Sequence, residues 1–170
     1  PADEDETRKL LTTAYEFKGP AAVRYPRGSG PNSIVDQELS SIEIGKARII
    51  REGESKVIFL NFGSLLHEAK IVSEKLNLTL IDMRFVKPLD REVLREYLSD
   101  ASMFVSLEDG SIAGGAGSAV QEFCSEENIL IQSKLFGIPD KFIEHSTREE
   151  MIRECGLDAN SLEEAIKSYC

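Results

Sequence analysis

Lys56-Val57-Ile58-Phe59-Leu60-Asn61-Phe62-Gly63-Ser64 is the stretch on which the fold turns. Apart from Asn61, every residue from Val57 to Phe62 is large and apolar, with no polar alternation. A strand with one wet face alternates, so this one is buried on both faces and lies in the middle of a sheet covered by helices. Gly63-Ser64 then opens a helix, with Ser64 as N-cap and Leu65, Ala69, Val72 and Leu76 along one stripe.

Working outward, Ile44 to Arg51 reads as a partner strand, joined to the first through the turn Glu52-Gly53-Glu54-Ser55 as a hairpin. On the other side, Asn77 to Phe85 is the next strand. Pro88 and Asp90 introduce a helix that turns Val93, Leu94, Tyr97 and Leu98 inward. Ala101 to Leu107 is a further buried strand, followed by a glycine-rich turn, a helix to about Cys124, and a last strand from Ile129 to Phe136. Two helices close the chain, with capping-box spacing at Thr147/Glu150 and Ser161/Glu164 and with Gly156 at the end of the first. Strand and helix alternate throughout. The pattern predicts an α/β fold, a three-layer sandwich with a mostly parallel sheet and an antiparallel edge strand.

The N-terminal end is organised differently. Asp5 to Phe17 reads as a helix stopped by Gly19-Pro20, and Ala21 to Tyr25 as a short strand. Pro26-Arg27-Gly28-Ser29-Gly30-Pro31-Asn32 then breaks regular structure. One helix and one strand cannot bury a core, so residues 1–31 read as the tail of a domain whose body lies elsewhere, and residues 32–170 as a domain of their own.

The 170 residues carry Lys+Arg 20 against Asp+Glu 30, a formal charge of −10, with 41% hydrophobic content. Such a field repels nucleic acid and anionic membranes, so neither is expected as a partner and any anion site must be local. Cys124, Cys155 and Cys170 have no C-x-x-C spacing and cannot all pair with one another, which suits reduced thiols in a cytoplasmic protein. The acidic start Pro1-Ala2-Asp3-Glu4-Asp5-Glu6 is unlike a secretory signal, and no apolar run reaches membrane-spanning length.

A local anion site is offered by Pro20-Ala21-Ala22-Val23-Arg24-Tyr25-Pro26-Arg27-Gly28, where Arg24 and Arg27 flank a proline at a strand's carboxyl end. Guanidinium forks held there suit a phosphate or carboxylate, because their planar donors pair with two oxygens at once. The cluster Gly114-Gly115-Ala116-Gly117 before a helix has the look of a phosphate loop. It lacks the Lys-Ser/Thr of a Walker motif and follows Glu108-Asp109, so close packing of helix on sheet, or of subunit on subunit, is its expected role. His67 reads as a solvated or capping residue. His145 sits in a loop before a helix and is a candidate neighbour of the site, although the sequence supplies it with no partner acid or nucleophile. No H-E-x-x-H, calcium loop or G-x-S-x-G elbow is present.

Four stretches, taken in order, carry a resemblance. They are Pro20 to Gly28, Asp82-Met83-Arg84-Phe85-Val86-Lys87-Pro88-Leu89-Asp90, Glu108-Asp109-Gly110 with Gly114 to Ser118, and Gly137-Ile138-Pro139-Asp140. Together they resemble the C-terminal part of the 1-deoxy-D-xylulose-5-phosphate synthase family. The R-F-V-K-P-L-D element is shared with transketolases and 2-oxo acid dehydrogenase E1 β-subunits, whereas V-R-Y-P-R-G favours the synthases. The resemblance implies a thiamine-diphosphate- and Mg²⁺-dependent transferase that condenses pyruvate with D-glyceraldehyde 3-phosphate and releases CO2, in isoprenoid precursor synthesis, as a homodimer. It implies that residues 1–31 end the pyrimidine-binding domain and residues 32–170 form the transketolase C-terminal domain. By the same resemblance Arg27 contacts the substrate phosphate. Arg24 is the secondary candidate, having the alternative of an ion pair at the domain interface. The family's cofactor and metal segments have no counterpart here, so the chain alone is expected to bind neither thiamine diphosphate nor Mg²⁺ and to need the remainder of its polypeptide. Two rival readings are an E1 β-subunit tail acting on lipoate and a non-catalytic α/β dimerisation module.

Overall fold

A computed structural model describes all of residues 1–170. The helix α1 (Glu4–Glu16) leads, capped by Asp3, whose side chain accepts the Glu6 amide. Then come β1 (Arg48–Arg51), β2 (Val57–Phe62), α2 (Leu66–Lys75), β3 (Thr79–Asp82), α3 (Arg91–Leu98), β4 (Met103–Ser111), α4 (Ala116–Glu126), β5 (Gln132–Ile138), α5 (Arg148–Glu154) and α6 (Ala159–Lys167). The sheet order is β1-β3-β2-β4-β5, with β1 antiparallel to β3 at the edge and every other pair parallel. This is the expected α/β architecture.

β2 is buried along its whole length. Val57 and Phe59 point into a core closed by Leu65, Ala69 and Val72 of α2 and its turn, and by Leu162 and Ile166 of α6. Ile58, Leu60 and Phe62 point into a second core closed by Leu94 and Leu98 of α3 and by Val120 and Phe123 of α4. A strand flanked by two such layers has no wet face, which is why its sequence does not alternate. No helix is long and apolar enough to cross a membrane.

The hairpin expected between β1 and β2 does not form, because β3 lies between them. β2 needs a neighbour on each side to satisfy its backbone, and parallel β3 and β4 fill both places. The connecting turn passes tightly over the start of β3, with Ser55 N–H donating to the Asn77 carbonyl at 3.1 Å and Gly53 N–H to Thr79 Oγ1 at 3.0 Å. A side chain at Gly53 would collide with the Asn77-Leu78 backbone.

Local caps also differ from expectation. Ser64 does not cap α2, whose N-cap is Leu65 without a side-chain bond. Asp158 rather than Ser161 caps α6. The Thr147/Glu150 capping box is present, and Gly156 at φ +69 ends α5 with the Gly156 amide bonded to Arg153 O and the Leu157 amide to Ile152 O.

Residues 21–25 are not a strand. No backbone hydrogen bond joins residues 18–31 to the rest of the molecule, since an extended segment becomes a strand only beside a partner and none lies next to it here. The following stretch is laid along α1 instead. Glu4 accepts the Asn32 and Ser33 amides, Asp5 accepts the Asp36 amide, Arg8 donates to Gln37 O, and Thr13 Oγ1 accepts the Ile42 amide.

Candidate functional site

The carboxyl end of β4 delivers two adjacent acids, Glu108 and Asp109, with different tasks. Glu108 is buried, and its carboxylate accepts the Ala116 and Gly117 amides, each at 3.0 Å. An α-helix leaves its first amides unpaired and carries partial positive charge there, so a fixed carboxylate satisfies both needs. The chain has therefore filled its own anion niche. The glycines make room for it: a side chain at Gly115 would lie 2.5 Å from the Glu108 carboxylate. The cluster serves close packing rather than a phosphate ligand.

Asp109 binds outward. Its Oδ1 accepts Arg24 Nη1 at 2.7 Å, while its main-chain oxygen accepts Nη2 at 2.6 Å. Its Oδ2 accepts the Ser64 hydroxyl at 2.6 Å, and Ser64 Oγ in turn accepts Arg148 Nη2 at 2.8 Å. Four segments distant in sequence are thus joined through one carboxylate: the 20–25 segment, the β2–α2 turn, the end of β4 and the first turn of α5. The sequence marks Glu108-Asp109 only as unfavourable to a phosphate loop, and Ser64 only as a cap. Asp109, Ser64 and Arg148 escape notice because their association is purely tertiary.

Arg27 stands apart. It is exposed, and its guanidinium makes no hydrogen bond or ion pair. Its neighbours, though not Arg27 itself, line a polar cleft of about 560 Å³, with Tyr25, Pro26 and Gly28 on one side, Ser64, His67 and Arg148 on the other, and the acids Asp3, Glu4 and Glu68 also in the wall. The structure therefore separates the arginine pair, with Arg24 engaged at Asp109 and Arg27 free. His145 is exposed and makes no hydrogen bond, and it does not line this cleft. His67 is exposed at the start of α2.

A second charged cluster fixes α1 to the sheet. The buried Glu6 accepts the Ala2 amide at 2.7 Å and Arg84 Nε at 2.9 Å. Arg48 Nη2 lies 2.9 Å from Asp82 and 3.5 Å from Glu6, so one guanidinium serves two buried carboxylates. Burial, and next the Glu6 charge, push the Asp82 carboxyl up to about 6, although Arg48 and Asn61 pull it down.

Residues 45–162 match the family model described as transketolase, C-terminal domain. The chain belongs to this family. Proteins named 1-deoxy-D-xylulose-5-phosphate synthase are 52% identical to it over 167 residues in Pseudomonas paraeruginosa (strain DSM 24068 / PA7) and in Stutzerimonas stutzeri (strain A1501). Each match covers 98% of this chain and 26% of the relative, so the chain spans about a quarter of the length of these curated relatives. Among solved structures, one titled split gene transketolase, inactive beta4 tetramer, superposes with a TM-score of 0.85 at 29% identity, over 99% of this chain and 55% of that one.

Within this transketolase C-terminal domain lie Ser64, Asp109 and Arg148, whereas Arg24 and Arg27 precede the matched span. The Arg24–Asp109 pair is thus one polar link from the preceding residues to the domain, beside those of Glu6 to Arg84 and Arg48. A diphosphate with its metal does not fit the residues present. The paired amides at the start of α4 are taken by Glu108, and no group of three or more His, Cys, Asp or Glu side chains is placed to hold a metal ion.

Proposed function

We propose that this chain is the C-terminal portion of a 1-deoxy-D-xylulose-5-phosphate synthase, a thiamine-diphosphate-dependent transferase that condenses pyruvate with D-glyceraldehyde 3-phosphate and releases CO2. The observation that carries the proposal is the 52% identity to synthases across 98% of the chain. The residues outside the matched domain add to it, since an exposed guanidinium with no acid partner, in a segment whose neighbouring residues line a polar cleft, suits a phosphorylated substrate. Residues 1–31 are then the end of the pyrimidine-binding domain and residues 32–170 the C-terminal domain of a cytoplasmic homodimer.

Thiamine diphosphate and Mg²⁺ belong, in this proposal, to the remainder of the polypeptide, and the cofactor supplies the decarboxylation and carbon–carbon chemistry there. This chain's part is at the other end of the substrate. Arg27 holds the phosphate of glyceraldehyde 3-phosphate, and Arg24, bound to Asp109, is the secondary candidate for that phosphate. His145, in the exposed loop before α5, stays a candidate neighbour of the site in this reading.

Arg27→Ala in the full-length enzyme tests the assignment. Loss of a charge-assisted, two-pronged contact costs about 2 to 4 kcal/mol of transition-state stabilisation, which is roughly 30- to 1,000-fold in kcat/KM for the phosphorylated aldehyde. An unchanged kcat/KM removes Arg27 from the site. For the isolated chain, titration calorimetry with thiamine diphosphate and Mg²⁺ gives no heat of specific binding, and stoichiometric tight binding overturns the division of labour.

A further inference from the structure

From Lys18 to Pro31 the segment that carries both arginines has two hydrogen bonds, and Arg24 makes both of them to Asp109. Backbone pairing contributes nothing there. Only Tyr25 and Pro26 separate the tether from Arg27, and proline's fixed φ shortens the list of conformations open to that link. The tether is itself directional. A guanidinium gripped at both Nη atoms, one by a carboxylate and one by a main-chain oxygen, cannot rotate about its axis. Its acceptor is held too, because Ser64 donates to the second carboxylate oxygen and Arg148 donates to Ser64.

We propose that Asp109 is a positioning residue for phosphate recognition: by clamping Arg24 it fixes where Arg27 is presented to the phosphorylated substrate. This rests on the reading of Arg27 given above. Asp109 also has an electrostatic part. Unpaired, its carboxylate would add to the negative field that an incoming phosphate meets. Paired with Arg24, its charge is offset, and Arg27, three residues further on, is left without an acid partner.

The test uses the full-length enzyme and compares kcat/KM for D-glyceraldehyde 3-phosphate with that for unphosphorylated D-glyceraldehyde. Asp109→Asn keeps the main-chain acceptor and most of the shape but removes the charge. It lowers the phosphate preference at least tenfold, through a rise in KM for the phosphorylated aldehyde, and leaves the KM for pyruvate within twofold. Arg24→Lys, which keeps the charge and loses the fork, lowers it by a similar factor, and the double variant loses no more than the worse single one. A merely structural role predicts equal losses for both aldehydes, and multiplying effects in the double variant would show that the two residues act separately rather than as one clamp; either result overturns the proposal. If Asp109→Asn does not fold, Ser64→Ala removes one bond to the same carboxylate and must still lower the preference measurably. If Arg27→Ala abolishes the preference while the Asp109 and Arg24 variants keep it, the positioning role fails and the phosphate reading stands. If Arg27→Ala also keeps it, the phosphate reading itself fails.

Discussion

Gly117 shows how little slack a single position has. It lies in the first turn of α4, where alanine would favour the helix by about 1 kcal/mol over glycine. A methyl group there would sit 2.9 Å from Leu135 Cδ2 and closer still to Ser106 Oγ. Overpacking of that kind costs roughly 1 to 3 kcal/mol and wins. Gly117→Ala therefore lowers stability in urea unfolding by about 1 kcal/mol or more, and adding Ser106→Ala recovers part of the loss. Ser106 Oγ is buried without a hydrogen-bond partner, so Ser106→Ala alone is neutral or stabilising. A gain in stability for Gly117→Ala would show that the helix can lift off the sheet freely. At this scale the sequence is legible in type and silent in partner. The glycines announce close approach, yet nothing local says that Glu108 is what approaches. Arg24 and Arg27 look alike along the chain, and only the fold, by bringing Asp109 to one of them, tells them apart.

Individual elements are legible where their reasons are local. α1, α3 and the α5 capping box follow from caps and apolar stripes close in sequence, and they form where expected. Apart from the caps of α2 and α6, which fall one and three residues from the expected serines, the expectations that fail are pairings: β1 with β2, and 21–25 with a sheet. Strand pairing is decided by neighbours far along the chain, and a buried apolar run is compatible with either neighbour. The attachment of α1 is similarly tertiary, and it carries a pH dependence. Asp82 holds its proton to about pH 6 in the folded protein, against an ordinary value of 3.8. Between pH 4 and pH 6 the unfolded chain has lost this proton and the folded chain keeps it, so stability falls as pH rises through that window. The fall is on the order of 2 to 3 kcal/mol, and it levels off above the window. Chemical unfolding between pH 4 and 7 should show this slope in the parent chain and its absence in Asp82→Asn. Equal slopes would remove Asp82 as the cause.

For the molecule as a whole, other carboxylates run the opposite way. Hydrogen bonds from Arg95 and Arg91 hold Glu127 at about 2, and bonds from Ser146 and Thr147 hold Glu150 at about 2. Their contributions are complete above the ordinary range near 4.5 and are lost as pH falls towards 2. Asp82 thus opposes these groups between pH 4 and 6, and because Glu127 and Glu150 are exposed and screened by solvent, the Asp82 slope is the one to dominate there. A melting temperature that rises steadily from pH 4 to pH 6 would contradict that balance.

The bare segment around Arg27 has one more consequence, for what a protease would leave behind. The Arg27–Gly28 bond lies in an exposed run with no backbone hydrogen bonds, so brief trypsin treatment of the isolated chain should cut there early. Yet the piece ending at Arg27 keeps Glu6 between Ala2 and Arg84, Arg24 on Asp109, and the 32–42 strap laid along α1. The nicked protein should therefore run through gel filtration as one particle and separate into two bands only under denaturing conditions. Covalent continuity at this point is something the folded chain can do without.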